Sequence, residues 1–199
     1  MLNRIAALLI ATLALASLRA QFDSLLEPVA SQPLLAKLWF MAGFFTILTN
    51  LGIAAHLIAV ARNWPMPASR AANLLVSVLM VALTYHALLA RLWNPQGLAW
   101  WANQGLHTAV PLAYLGWWLA FAAKTVTRQD LPRWLIYPAL YCVYTVTRGY
   151  MTGFWPYPFL NADTLGPARL TLNIAAMLAA FVAMGFAVLT LARRLNRSS

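Results

Sequence analysis

Leu170–Ala192 reads LTLNIAAMLAAFVAMGFAVLTLA and is closed by Arg193-Arg194. All 23 positions lack an ionisable side chain, and about 20 apolar residues suffice to cross a hydrocarbon core as a helix. No period-2 alternation runs through it, so it is not a barrel strand. Working outward, five further apolar runs are marked off by polar flanks. They are Ile5–Leu18 between Arg4 and Arg19, Leu38–Ala61 between Lys37 and Arg62, and Ala71–Ala90 between Arg70 and Arg91. Trp100–Ala123 ends at Lys124, and Trp134–Met151 follows Pro132.

Composition agrees. The 199 residues are 62% hydrophobic and 9% charged, against about 45–50% and about 25% in globular chains, which excludes an ordinary soluble domain. Six helices of about 20 residues use roughly 120 positions and leave no room for a separate folded domain. The expected architecture is all-α: one six-helix transmembrane domain over residues 1–199, a polytopic integral membrane protein. The first run also resembles a secretory signal, with Ala14-Leu15-Ala16 as its small-residue site. A first membrane helix is preferred because an even count places both ends on one side.

The net charge of +10 does not point to nucleic acid, because the basic residues sit singly or in pairs between the apolar runs. There they act as orientation signals. With the amino end cytoplasmic, Arg4, Arg62, Arg70, Lys124, Arg128, Arg133, Arg193, Arg194 and Arg197 face the cytoplasm. Arg19, Lys37, Arg91, Arg148 and Arg169 face out, with Asp23, Glu27 and Asp163. Both termini are therefore expected inside. The preference for Arg over Lys and the abundant Ala suggest a GC-rich bacterium, hence its inner membrane. The single cysteine, Cys142, excludes an internal disulfide and a cysteine-based metal site. Neither a metal nor a cofactor is expected.

Ionisable groups within membrane helices are costly and are candidates for function. His56, His86 and His107 all fall within the runs. Counted along straight helices, Thr46 lies about 13 Å and His107 about 10 Å from the outer flank. His86 and Arg148 fall at a similar level, and His56 lies in the inner half. Thr46 and Asn50 are four apart, as are Asn103 and His107, while Gln104 and His107 are three apart, so each pair shares a helix face. Amides one turn from a histidine can set its tautomer. Each residue also has an ordinary explanation: Thr and Asn bond across helices, a buried histidine packs, and Arg148 snorkels. Trp93, Trp100, Trp101 and Trp155 read as an interfacial belt. Spacing alone supports a polar pocket in the outer leaflet.

Asn103-Gln104-Gly105-Leu106-His107-Thr108, with Pro111 following, resembles the histidine motif of the androgen-induced membrane hydrolase family. Thr152-Gly153-Phe154-Trp155-Pro156-Tyr157-Pro158-Phe159-Leu160, followed by Gly166-Pro167-Ala168-Arg169, resembles that family's tyrosine–proline segment. Phe45-Thr46 resembles its threonine segment, and the three occur in the same order between Leu38 and Arg169. The resemblance implies six membrane helices with cytoplasmic ends. It also implies a threonine hydrolase that cleaves fatty acid esters of hydroxy fatty acids, with Thr46 as nucleophile and His107 as base. The chain departs from animal members at Gln104, where they carry a second histidine, and at His86, where they carry an aromatic residue. Both departures suggest a bacterial branch and leave substrate choice open.

The expected chemistry is an acyl-threonine intermediate formed from a lipid ester that enters from the outer leaflet. A hydroxyl needs an adjacent base to act as a nucleophile, and no spanning run contains Asp or Glu. Asn50, Asn103, Gln104 or a backbone carbonyl would orient His107. Arg148, Asn50 or His86 would stabilise the oxyanion, or Arg148 would hold a substrate carboxylate. The expected substrate-binding residues are Asn50, His86, Asn103, Gln104, Arg148 and Tyr157. The partners expected are membrane lipid and the lipid ester, with oligomeric state open. Two other classes remain: haem ligation by His86 and His107, and a lipid-binding protein or small-molecule transporter using the same pocket without chemistry.

Overall fold

The structure, a computed structural model, describes residues 1–197. It is helical, with no strand among the described residues. The elements are α1 (Leu2–Asp23), α2 (Leu34–Met41), α3 (Phe45–Ala61), α4 (Ala68–Thr84), α5 (Gly97–Gln104), α6 (Val110–Phe121), α7 (Leu131–Thr152) and α8 (Ala162–Arg197). Three helical stretches are long and apolar enough to cross a membrane: Leu2–Asp23, Ala68–Leu89 and Ala162–Asn196. The bent pair α2–α3 makes a fourth if it is one span. The stretch Gly97–Phe121, with Asn103, Gln104 and His107, is not among them, nor is α7, with Arg133 and Arg148.

The chain forms two compact units, Met1–Thr125 and Val126–Ser199. In the first, α1 packs on α3, α5 and α6. Its buried positions Ala7, Ala11, Ala14 and Ser17 recur every three or four residues, making a stripe of small side chains that lets backbones approach closely. Arg4 Nε donates to the Ala61 carbonyl at 2.7 Å, capping the last turn of α3. Trp117 Nε1 donates to Asn3 Oδ1 at 2.8 Å.

The straight helix expected over Leu38–Ala61 is broken. The axes of α2 and α3 differ by 96°. Tight turns end α2, with the Gly43 amide on the Phe40 carbonyl and the Phe44 amide on that of Met41, both at 3.0 Å. Phe44 is then extended (φ −99°, ψ 126°) and begins α3. Thr46 thus lies in the first turn of a new helix, and the depth counted along one straight axis no longer applies. Met41-Ala42-Gly43-Phe44 is apolar throughout, so hydropathy carries no trace of the change in direction.

Two helices widen into single π-helical turns. One follows α4 at Tyr85–Leu89, where the Ala90 amide reaches the Tyr85 carbonyl at 2.8 Å. The other, Gly105–Ala109, joins α5 to α6, with the Val110 amide on the Gly105 carbonyl. Pro111 follows the second: its ring crowds the carbonyl four residues back, which a wider turn accommodates, and it has no N–H to offer the preceding turn. At the far end of α6, Lys124 Nζ donates to the carbonyls of Trp118 at 2.6 Å and Ala122 at 2.5 Å.

In the second unit, α7 packs on α8. Gly153 closes α7 in the left-handed conformation (φ 69°). Asn161 Oδ1 accepts the amides of Asp163 and Thr164 at the start of α8. Gly166 (φ 70°) bends α8 just before Pro167.

Candidate functional site

The first turn of α3 and the π turn after α5 meet at a threonine and a histidine. Thr46 Oγ1 lies 3.4 Å from His107 Nε2. The other ring nitrogen, Nδ1, lies 3.0 Å from the Asn103 main-chain carbonyl. A carbonyl can only accept, so the ring proton sits on Nδ1 and Nε2 turns its lone pair towards the Thr46 hydroxyl. That is the tautomer a general base requires. The 3.4 Å separation exceeds the roughly 2.6–3.2 Å of an engaged pair, as is common before substrate binds.

Asn50 joins the two segments. Its side-chain amide donates to the Thr46 carbonyl at 2.9 Å and to the Leu106 carbonyl at 3.4 Å, and the residue is fully buried. Turning the amide over would set its oxygen against both carbonyls, so its orientation follows from its neighbours. The Asn50 amide expected to bind substrate or an oxyanion is therefore committed to the main chain. Its Oδ1 has no protein partner.

Asn103 acts through two different atoms. The main-chain carbonyl holds His107, while Nδ2 donates to Tyr85 Oη at 2.6 Å. Tautomer control therefore belongs to the Asn103 backbone rather than to a side-chain amide. The Tyr85 ring stacks on the His107 imidazole, with centroids 4.0 Å apart and planes 21° apart. It also meets His86 edge-on at 5.1 Å. Tyr85 was not singled out by sequence. The signal available was its adjacency to His86: consecutive helical residues point about 100° apart, and here Tyr85 is buried while His86 is exposed.

His86 Nε2 lies 3.1 Å from Thr108 Oγ1, whose proton goes to Gln104 Oε1 at 3.3 Å. Thr108 therefore accepts from His86, and Nε2 of that ring carries the hydrogen. Thus Thr46, Asn50, Asn103 and His107 form one cluster, with His86 and Gln104 joined through Thr108 beside it.

Arg148 and Tyr157 belong to the second unit. Arg148 is buried, donates from Nη1 to Tyr144 Oη at 2.9 Å, and lies 4.6 Å over the Phe154 ring. Tyr157 stacks on Phe159 at 5.2 Å. Trp155 covers Gly149 and donates from Nε1 to Asp163 Oδ2 at 2.7 Å. The tyrosine–proline segment is thus an ordered connection between α7 and α8. His56 is buried away from these groups, edge-on to Tyr114 and Trp117.

Among the described residues, no group of three or more His, Cys, Asp or Glu is arranged to hold a metal ion. Comparison of the chain with protein-family models, curated proteins and solved structures finds no match.

Proposed function

We propose that this protein is an intramembrane lipid-ester hydrolase with Thr46 as nucleophile and His107 as general base. The observation that carries the reading is the Thr46–His107 contact with the imidazole held as the Nδ1–H tautomer. The order of the threonine, histidine and tyrosine–proline segments, which resembles the androgen-induced membrane hydrolases, supports it further. Fatty acid esters of hydroxy fatty acids are the first substrates to test.

In the proposed reaction, the Thr46 oxygen attacks the ester carbonyl carbon as its proton passes to His107 Nε2. The tetrahedral intermediate collapses, the C–O bond to the alcohol breaks, and His107 returns the proton to the leaving oxygen. A water molecule, deprotonated by His107, then attacks the acyl-threonine, and the fatty acid leaves as Thr46 regains its proton. The first turn of α3 carries the positive end of that helix's dipole, which favours negative charge beside Thr46. His86, Thr108 and Gln104 would contact the polar part of the lipid.

The same reading places six spans across a bacterial inner membrane, with both termini cytoplasmic. Binding without chemistry is distinguished by activity. Thr46→Ala is expected to lower kcat on a medium-chain p-nitrophenyl ester at least about a thousandfold and to abolish fluorophosphonate labelling. Retention of both by the variant would overturn the mechanism, and an inactive, unlabelled wild type would favour lipid binding.

A further inference from the structure

His107 has no carboxylate to support it. In a Ser-His-Asp arrangement the acid orients the imidazole and stabilises the imidazolium formed when the nucleophile loses its proton. Here the Asn103 carbonyl on Nδ1 selects the tautomer only while the ring stays in that bond, and a neutral carbonyl offsets only part of a full positive charge. The group in face contact with the ring is Tyr85. Its centroid lies 4.0 Å from that of His107 with planes 21° apart, close enough for the electron-rich face to attract a cation.

Tyr85 is itself held in place. It is 5% exposed, it opens the π turn at Tyr85–Leu89, and its Oη accepts the Asn103 amide at 2.6 Å. Asn103 therefore grips both members of the stack, the imidazole by its main chain and the phenol by its side chain. Accepting that amide also orders the phenol in its own plane, so the ring cannot slide off the imidazole without breaking a short buried hydrogen bond.

We propose that Tyr85 is a positioning residue for His107, replacing the acid of a catalytic triad by holding the imidazole in one orientation and stabilising its charged form. This rests on the hydrolase reading, and the division of labour is specific. The aromatic face supplies the charge stabilisation, and the hydroxyl supplies only the registration of that face.

The test compares Tyr85→Leu, Tyr85→Phe and Tyr85→Met in the purified full chain, with ester kinetics and with nitrogen-15 spectra of the histidines assigned through His107→Gln. Tyr85→Leu is expected to lower kcat about tenfold with KM within about twofold, while Tyr85→Phe keeps kcat within about threefold of wild type. In the spectra, wild type and Tyr85→Phe are expected to show His107 as the single Nδ1–H tautomer, and Tyr85→Leu a mixture. Tyr85→Met, close to Leu in polarity but longer, repeats the comparison if the leucine variant does not fold. Unchanged kcat and an unchanged tautomer in the non-aromatic variants would overturn the proposal, as would equal losses for Phe and Leu. If the wild type hydrolyses nothing, the hydrolase reading fails by itself, and the spectra still decide whether Tyr85 controls the imidazole.

Discussion

Asn50 spends both hydrogens of its amide on main-chain carbonyls, one at Thr46 and one at Leu106, the residue before His107. It therefore sets the distance between nucleophile and base without touching either reactive atom. Asn50→Asp places negative charge against both carbonyls, and Asn50→Leu leaves them unpaired in a buried setting. Each is expected to cost about 1–3 kcal/mol of stability and to lower kcat about tenfold or more with KM nearly unchanged. Thermal melting and steady-state ester kinetics check this; a selective rise in KM would mean that Asn50 contacts substrate instead. The spacing of Thr46 with Asn50 and of Asn103 with His107 was legible because helical periodicity alone places each pair on one face. What each amide does was not legible, since the atoms that engage them are backbone carbonyls and the hydroxyl of Tyr85. Any residue presents a carbonyl, so residue identity carries no mark of it.

Among the elements, α1 and the π turn at Gly105–Ala109 approach with no room for a side chain at Gly105. A Cβ on Gly105 would stand 2.0 Å from Ser17 Oγ and 2.7 Å from Ser17 Cβ. Gly105→Ala is therefore expected to push α1 off the segment that carries His107, costing about 1–3 kcal/mol and lowering activity with it. Ser17→Gly in the same chain removes both clashing atoms and is expected to restore most of the loss, whereas Ser17→Ala leaves the Cβ in place and restores less. Melting temperatures of the single and double variants decide between them, and equal rescue by Ala and Gly would refute the packing account. The helical stretches were legible from apolar runs and their basic flanks: Leu2–Asp23 contains the expected Ile5–Leu18, and Leu131–Thr152 contains Trp134–Met151. The 96° break before Thr46 and the two π turns were not, because hydropathy is a sum over side chains and is blind to backbone direction.

For the whole molecule, the proposed count of six crossings rests on the apolar runs, and their proposed sense on the distribution of basic residues. In the six-span arrangement the connection after α6, with Arg128, lies in the cytoplasm, and the connection before α5, with Arg91, lies outside. Cys142 is buried, so a Cys142→Ala background leaves introduced thiols as the reporters. Gln96→Cys is expected to react with a membrane-impermeant maleimide added to intact cells, and Gln129→Cys only after the membrane is opened. Labelling of both from one side would remove a crossing between them and with it the six-span arrangement. Composition accounts for helices apolar enough to cross a membrane, and it was silent on the two compact units, Met1–Thr125 and Val126–Ser199, because both draw on the same apolar residue types.

The packing of α1 also sets a schedule. Asn3 is bonded to Trp117, 114 positions later, and Ser17 lies against Gly105. During synthesis at about 5–20 residues per second, the first helix waits several seconds before these partners emerge from the ribosome. α3, on which α1 also packs, is made well before them. The contacts of α1 with the segment that carries His107 are consequently assembled late, between the oldest and the newest parts of the first 125 residues.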